Sequence, residues 1–138
     1  MDSASPVVVD TDVVSYIFKD HQLARRYQAI LAGRSLTISL ITRAEIELGL
    51  EAKNWGTPRR ELMRRFLSRF TPLLPDTDTA VEWARIKNGC EKKGRSISFP
   101  DAWIAAAALQ LNIPLVTHNV SHYAAVDGLT ILTVATVA

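Results

Sequence analysis

The chain has 138 residues, of which 48% are hydrophobic and 22% are charged, and its net charge is +2. That length fits one domain, which we place at residues 1–138, and the composition is typical of globular proteins rather than disordered ones. No apolar run approaches the roughly 20 residues of a membrane-spanning helix. The mild basic bias does not by itself indicate a nucleic-acid partner. The single cysteine, Cys90, excludes an internal disulfide and a Cys-only zinc site, and we expect a cytoplasmic protein with no membrane segment.

Short β-branched runs alternate with helical patterns along the chain. Strands are predicted at 6–10, 35–41, 73–74, 113–117 and 129–134. Apolar residues in helical spacing predict helices at 12–18, 23–31, 42–53, 58–70, 77–93 and 101–111. This alternation favours an α/β fold, with helices packed on a mostly parallel central sheet. In such sheets ligands bind where the carboxyl ends of the strands meet.

Three acidic residues fall at predicted helix N-termini. Asp10 ends the first strand, Glu45 lies in the first turn after the second, and Asp101 directly follows Pro100. Helix capping explains each of them separately, since Thr42 and Glu45 have capping-box spacing and acids are preferred in first turns. Capping therefore remains an open alternative for each residue.

The sequence around these acids favours a metal site. Asp10 follows three valines and Asp101 lies between Phe99-Pro100 and Trp103, so both carboxylates are expected at the edge of the core without a cationic neighbour in sequence. An unpaired charge there is costly, and a divalent cation would compensate for it. Mg²⁺ and Mn²⁺ prefer oxygen ligands and retain several waters, so two or three carboxylates suffice. Such a site supports phosphodiester hydrolysis by a metal-activated water.

Four segments, taken in order, resemble the motifs of PIN-domain nucleases, especially the VapC-type toxins of bacterial toxin–antitoxin pairs. They are residues 7–16 (VVVDTDVVSY), 41–49 (ITRAEIELG), 94–106 (GRSISFPDAWIAA) and 115–123 (LVTHNVSHY). The resemblance spans essentially the whole chain. It implies a PIN-like three-layer sandwich and a metal-dependent endoribonuclease that is inhibited by a cognate antitoxin and forms a homodimer.

The resemblance also implies roles for particular residues. Asp10, Glu45 and Asp101 would be the catalytic acids that hold Mg²⁺, with Mn²⁺ as a substitute, and the Thr11 hydroxyl would orient the Asp10 carboxylate or a metal-bound water. Arg43 and Arg95 are the arginines closest in sequence to these acids, so we expect them to contact the phosphates of the RNA substrate.

The fourth segment departs from the family pattern, in which an acid often stands at the position of Asn119 or of His122. Asn119 would assist through its carbonyl oxygen or a water, and a second metal would bind more weakly. One metal or two, and which RNA is cut, remain open. The missing acid also leaves an alternative, a catalytically weak PIN domain that binds RNA or antitoxin as a regulatory module. A phosphohydrolase with Asp10 as nucleophile fits less well, since Val13-Val14 follow where such enzymes need a fuller motif.

Overall fold

The computed structural model describes residues 5–136, so the ends of the predicted domain at 1–4 and 137–138 lie outside the described residues. Within these residues five strands form one sheet: β1 (Val7–Val9), β2 (Leu36–Ser39), β3 (Thr71–Leu73), β4 (Leu115–Val116) and β5 (Ile131–Leu132). They are all parallel, in the order β3-β2-β1-β4-β5. This sheet confirms the predicted α/β class.

In the described part of the chain, six α-helices cover the two faces of the sheet. They are α1 (Thr11–Phe18), α2 (Ala24–Leu31), α3 (Leu40–Ala52), α4 (Thr57–Leu67), α5 (Thr77–Lys92) and α6 (Phe99–Leu111). A short 3₁₀ helix, Val120–Tyr123, follows β4. None of the helices in the described part of the chain is long and apolar enough to cross a membrane.

The central strand β1 explains why there are two cores. Val7, Val8 and Val9 are fully buried, and successive side chains of a strand point to opposite faces. Val7 and Val9 belong to a core built with α1 to α4, whereas Val8 belongs to a second core built with α5 and α6. The result is the three-layer sandwich that the resemblance implied.

Helix α6 is the most buried of the six. Its four consecutive alanines, residues 105–108, are buried, and small side chains let α6 lie close to both α5 and the sheet. The left-handed Asn112 ends the helix. This packing fixes the first turn of α6, which carries Asp101, beside the carboxyl end of β1.

Several predicted boundaries were wrong. Strand β2 ends at Ser39, whose hydroxyl accepts the Ile41 N–H, so α3 begins at Leu40 rather than at Thr42. Strand β3 lies at Thr71–Leu73 rather than 73–74, and Pro72 is tolerated there because β3 is an edge strand. Strands β4 and β5 pair over two residues each, fewer than predicted.

Candidate active site

Asp10 lies at the carboxyl end of β1, the middle strand of the sheet. It is also the N-cap of α1, so its Oδ1 accepts the Thr11 N–H at 2.8 Å. Its Oδ2 accepts two buried hydroxyls, Thr117 Oγ1 at 2.7 Å and the Tyr123 hydroxyl at 2.9 Å. The capping role and a place at the centre of the site therefore coexist in one carboxylate.

The charge of Asp10 is not compensated by a neighbouring cation. The residue is 5% exposed, and no Lys, Arg or His of residues 5–136 forms an ion pair with it. Burial, and then the nearby negative charge of Asp12, raise the pKa of the Asp10 carboxyl to about 7, against the lowering effect of its hydrogen bonds. A buried carboxylate with this environment attracts a metal cation.

Asp101 lies close to Asp10 but comes from the helical layer formed by α5 and α6. It lies in the first turn of α6, where its N–H donates to the Ser98 Oγ at 3.2 Å. Its Oδ1 lies 3.2 Å from the Tyr123 hydroxyl, and its Oδ2 lies 3.1 Å from His122 Nδ1. A single hydroxyl therefore contacts both Asp10 and Asp101, so the two carboxylate oxygens are no further apart than the summed length of two hydrogen bonds.

Glu45 is connected to Asp10 through an intervening residue, Thr11. The Thr11 hydroxyl donates to Glu45 Oε1 at 2.7 Å and lies 3.0 Å from the Thr42 hydroxyl, while the Thr11 N–H binds Asp10. Thr11 thus connects Glu45 to Asp10. Within residues 5–136 no three Asp, Glu, His or Cys side chains lie close enough to form a complete metal-binding group. The structure brings Asp10 and Asp101 together and places Glu45 behind Thr11.

The capping-box interpretation of Glu45 was wrong. Because α3 begins at Leu40, Glu45 lies in its second turn and Thr42 is a buried helical residue rather than the N-cap. Glu45 is therefore not needed to cap α3, and its carboxylate is directed instead to Thr11.

Asp12 connects the start of α1 to the loop after β4. Its Oδ2 accepts the His118 N–H at 3.1 Å and its Oδ1 accepts the Val13 N–H at 2.7 Å. Burial raises the pKa of Asp12 as well. Asp12 therefore fixes the loop after β4 against the start of α1.

Asn119 approaches the site through its backbone, because its N–H donates to Thr117 Oγ1 at 3.1 Å and Thr117 in turn donates to Asp10. The two histidines of this loop have different partners. His118 shares a 2.6 Å hydrogen bond with the Tyr27 hydroxyl, whereas His122 contacts Asp101.

The two candidate arginines lie in different surroundings. Arg95 lines an open cleft of about 380 Å³ together with Ser96, Ser98, Asp101 and His122. Arg43 Nε instead binds Glu47 Oε2 at 2.9 Å, one turn along α3. Arg95 therefore lines the same cleft as Asp101, whereas the guanidinium of Arg43 is paired with Glu47.

No role was predicted for Thr117 or Tyr123, although both hydroxyls donate to Asp10. A threonine directly after the buried pair Leu115-Val116 is a recognisable signal, because it occupies the carboxyl end of a strand. Tyr123 gave no such signal, since its ring fits the apolar pattern and only the fold determines where its hydroxyl lies.

Comparison with known proteins identifies the arrangement. Residues 7–128 match the PIN domain family. The chain belongs to the PIN-domain family. The resemblance of the four sequence segments is thereby confirmed, and in this PIN domain they bring together Asp10, Thr11, Glu45, Asp101 and the loop after β4.

Among related proteins, this PIN domain is 30% identical over 125 residues to the ribonuclease VapC1 of Haemophilus influenzae strain R2866, covering 88% of this chain and 92% of the relative. It is 29% identical over 123 residues to the ribonuclease VapC5 of Mycobacterium tuberculosis, covering 88% and 87%. These similarities place it with the VapC-type members of the family.

Solved structures agree. VapBC-1 from nontypeable Haemophilus influenzae superposes with a TM-score of 0.76 at 28% identity, covering 93% of this chain and 97% of the other. VapBC2 from Rickettsia felis, solved with a DNA fragment from its promoter, superposes with a TM-score of 0.82 at 21% identity, covering 93% and 98%. The second likeness supports the fold.

Proposed function

We propose that this PIN domain is a metal-dependent endoribonuclease of the VapC type, the toxin of a toxin–antitoxin pair. The observation that supports it best is the pair Asp10 and Asp101, which come from different layers of the fold and meet at one hydroxyl. If Asp10 and Asp101 served only to cap their helices, nothing would require their carboxylates to lie close to each other. Kinship with curated VapC ribonucleases supplies the reaction class, hydrolysis of RNA phosphodiester bonds.

The donor set suits Mg²⁺, with Mn²⁺ as a substitute. Asp10 and Asp101 would hold the ion directly, and Glu45 would join through a water or after a change of side-chain position, since Thr11 now occupies its carboxylate. Hard oxygen donors and a buried, uncompensated charge on Asp10 fit these cations. When bound, the metal would activate a water and stabilise the charge that develops on the phosphate.

The chain's own residues would orient the reactants. Thr11 holds Asp10 through its N–H and Glu45 through its hydroxyl, so it sets their relative position. Asn119 would hold a water or offer its amide oxygen at the same edge. Arg95, which lines the cleft beside Asp101, would bind a phosphate of the RNA. Arg43 is paired with Glu47 and would have to exchange this partner to take part.

Two protein partners accompany this function. Structures of the VapBC type, in which the toxin-like chain was solved with its antitoxin, resemble this chain, and on that basis we propose a cognate antitoxin. We further propose a homodimer, whose mass in solution can be measured by light scattering. The cytoplasmic location expected from the sequence stays a prediction.

The decisive experiment is cleavage of total RNA by the purified protein in Mg²⁺, Mn²⁺ or EDTA. The wild type should give discrete fragments that require metal, and Asp101→Asn should give none while unfolding at a similar temperature. Glu61→Gln is the matched control, because Glu61 is an exposed acid on α4, which packs in the other core from α6 and Asp101. Full metal-dependent cleavage by Asp101→Asn would overturn the proposal.

A second candidate function follows from the fourth segment, which has an amide at Asn119 and an imidazole at His122. A site with one acid fewer suits a PIN domain that binds RNA or antitoxin with little turnover. If the wild type binds both and cleaves no faster than Asp101→Asn, with antitoxin removed, this alternative replaces the nuclease.

A further inference from the structure

Within residues 5–136, Tyr123 is the one buried side chain that hydrogen-bonds to both central carboxylates. It closes the 3₁₀ helix Val120–Tyr123, and its ring is 1% exposed in the core formed with α5 and α6. Its hydroxyl lies 2.9 Å from Asp10 Oδ2 and 3.2 Å from Asp101 Oδ1. Packing holds the ring, so the hydroxyl has a fixed position between two acids from different layers.

A tyrosine hydroxyl carries a single hydrogen, so it cannot donate to both carboxylates at once. The shorter contact, to Asp10, is the better donor geometry. The lone pairs of the same oxygen then face Asp101 Oδ1, an arrangement that is unfavourable unless a cation or a proton lies close to the two carboxylates. The burial of the ring and the negative charges of Asp10 and Asp101 raise the pKa of the Tyr123 hydroxyl, so it stays a neutral donor.

We propose that Tyr123 is a positioning residue of the metal site: its hydroxyl sets the spacing of Asp10 and Asp101 and orients Asp10 for a divalent cation. The inference rests on the proposed function, because it concerns the same two carboxylates. Asp10 Oδ2 accepts both Thr117 and Tyr123, which leaves Oδ1, bound only by the Thr11 N–H, as the oxygen with a free lone pair. The two hydroxyls thus determine which Asp10 oxygen faces the ion.

Hydrogen bonds to a ligating carboxylate affect metal affinity although the donor does not touch the metal. Hydrogen bonds that orient a ligating carboxylate typically change metal affinity by about 10- to 100-fold when they are removed. Tyr123→Phe keeps the buried ring and deletes only the hydroxyl. We therefore expect its dissociation constant for Mn²⁺ to rise about 10-fold.

The chain provides a matched control. Tyr27 is also fully buried, and its hydroxyl contacts His118, Thr133, the backbone oxygen of Thr117 and the Val134 N–H, but neither Asp10 nor Asp101. Tyr27→Phe therefore deletes a buried hydroxyl of the same kind away from the carboxylates. It should leave the Mn²⁺ dissociation constant within about 2-fold of the wild type, since it removes no contact to Asp10 or Asp101.

The test is a titration of Mn²⁺ into the full-length wild type, Tyr123→Phe, Tyr27→Phe and Asp101→Asn without RNA, with free Mn²⁺ followed by electron paramagnetic resonance. A second readout is RNA cleavage as a function of Mn²⁺ concentration. Tyr123→Phe should require more Mn²⁺ for half-maximal rate, with KM for RNA unchanged at saturating metal. A variant that lost only core packing would lose thermal stability without this shift.

The outcomes separate the two proposals. If the wild type binds Mn²⁺ more tightly than Asp101→Asn but Tyr123→Phe binds as the wild type does, the metal site stands and the role of Tyr123 is overturned. Tighter binding by Tyr123→Phe also overturns it, since the hydroxyl would then compete with the ion. If the wild type binds no better than Asp101→Asn, both the metal site and the role of Tyr123 are overturned.

Discussion

Replacing Asp10 with asparagine should make the metal-free protein more stable at neutral pH. Asparagine has nearly the shape of aspartate, and its oxygen can still accept the Thr11 N–H or the buried hydroxyls. The Thr117 and Tyr123 hydroxyls can turn to accept from the new amide, because each can act as donor or acceptor. The substitution therefore removes a buried negative charge that no cationic side chain of the described residues pairs with.

The magnitude follows from the pKa of Asp10, which is about 7 in the folded protein against an ordinary value of 3.8. Each unit corresponds to 1.36 kcal/mol, so keeping Asp10 charged in the folded state costs up to about 4 kcal/mol above pH 7. Imperfect hydrogen bonds to the new amide reduce the gain, and we expect Asp10→Asn to raise the free energy of unfolding by roughly 2 to 4 kcal/mol.

The pH dependence has a defined sign. The folded-state pKa is raised, so protonated Asp10 favours the folded state at low pH, and this contribution is lost as pH rises from about 4 to about 7. The free energy of unfolding of the wild type, measured relative to Asp10→Asn, should therefore fall over this range and level off above pH 7.

The assay is urea unfolding of both proteins in EDTA, from pH 4 to pH 8.5. Asp127→Asn serves as control, since it removes an exposed acid paired with Lys93 and should change stability little. Saturating Mg²⁺ should reduce the difference in free energy of unfolding between the wild type and Asp10→Asn, because a bound cation compensates the negative charge of Asp10. If Asp10→Asn is the less stable protein in EDTA at pH 8, the reasoning about an uncompensated charge is refuted.

Three further predictions concern binding. The affinity for Mn²⁺ should fall up to about 10-fold for each pH unit below 7, since Asp10 must lose a proton to bind, and a flat titration profile would contradict this. Arg95→Ala should raise KM for RNA several-fold and reduce the salt dependence of KM, because Arg95 lines the cleft. Arg43→Ala breaks only the pair with Glu47 and should leave KM and its salt dependence unchanged. If both variants raise KM equally, RNA does not bind along the cleft. Asn119→Asp should increase the number or affinity of bound Mn²⁺ ions measured by calorimetry, and an unchanged isotherm would place the fourth acid elsewhere.

Much of the fold could be predicted because its strongest patterns are local. The three valines of β1 and the alanines of α6 have few alternatives to burial, and the alternation of strands and helices fixes a parallel sheet. The start of α3 could not be predicted in the same way. Ser39 and Thr42 are both good N-caps, and the apolar pair Leu40-Ile41 fits a strand as well as a helix. Packing against the sheet decides between them.

The same distinction between local sequence patterns and tertiary packing applies to the candidate site. Asp10 and Asp101 could be placed together because one ends a strand and the other begins a buried helix, positions that parallel topology brings to a common edge. The connection of Glu45 to Asp10 through Thr11 could not be predicted, since it depends on the rotation of α3 about its axis. Tyr123 depends on the 3₁₀ helix, whose path after β4 has no periodic signal.

The absence of an acid at Asn119 and at His122 raises the question of how many metal ions the site can hold. Asp12 lies close enough to raise the pKa of Asp10, and its two oxygens accept the N–H groups of Val13 and His118, which fix its carboxylate against the loop after β4. Asn119 acts on Asp10 through Thr117 and adds no charge. The negative charge of Asp12 adds to the potential that attracts a cation to Asp10. A second ion would need a charge that Asn119 lacks, and for this reason Asn119→Asp is the substitution that tests the count.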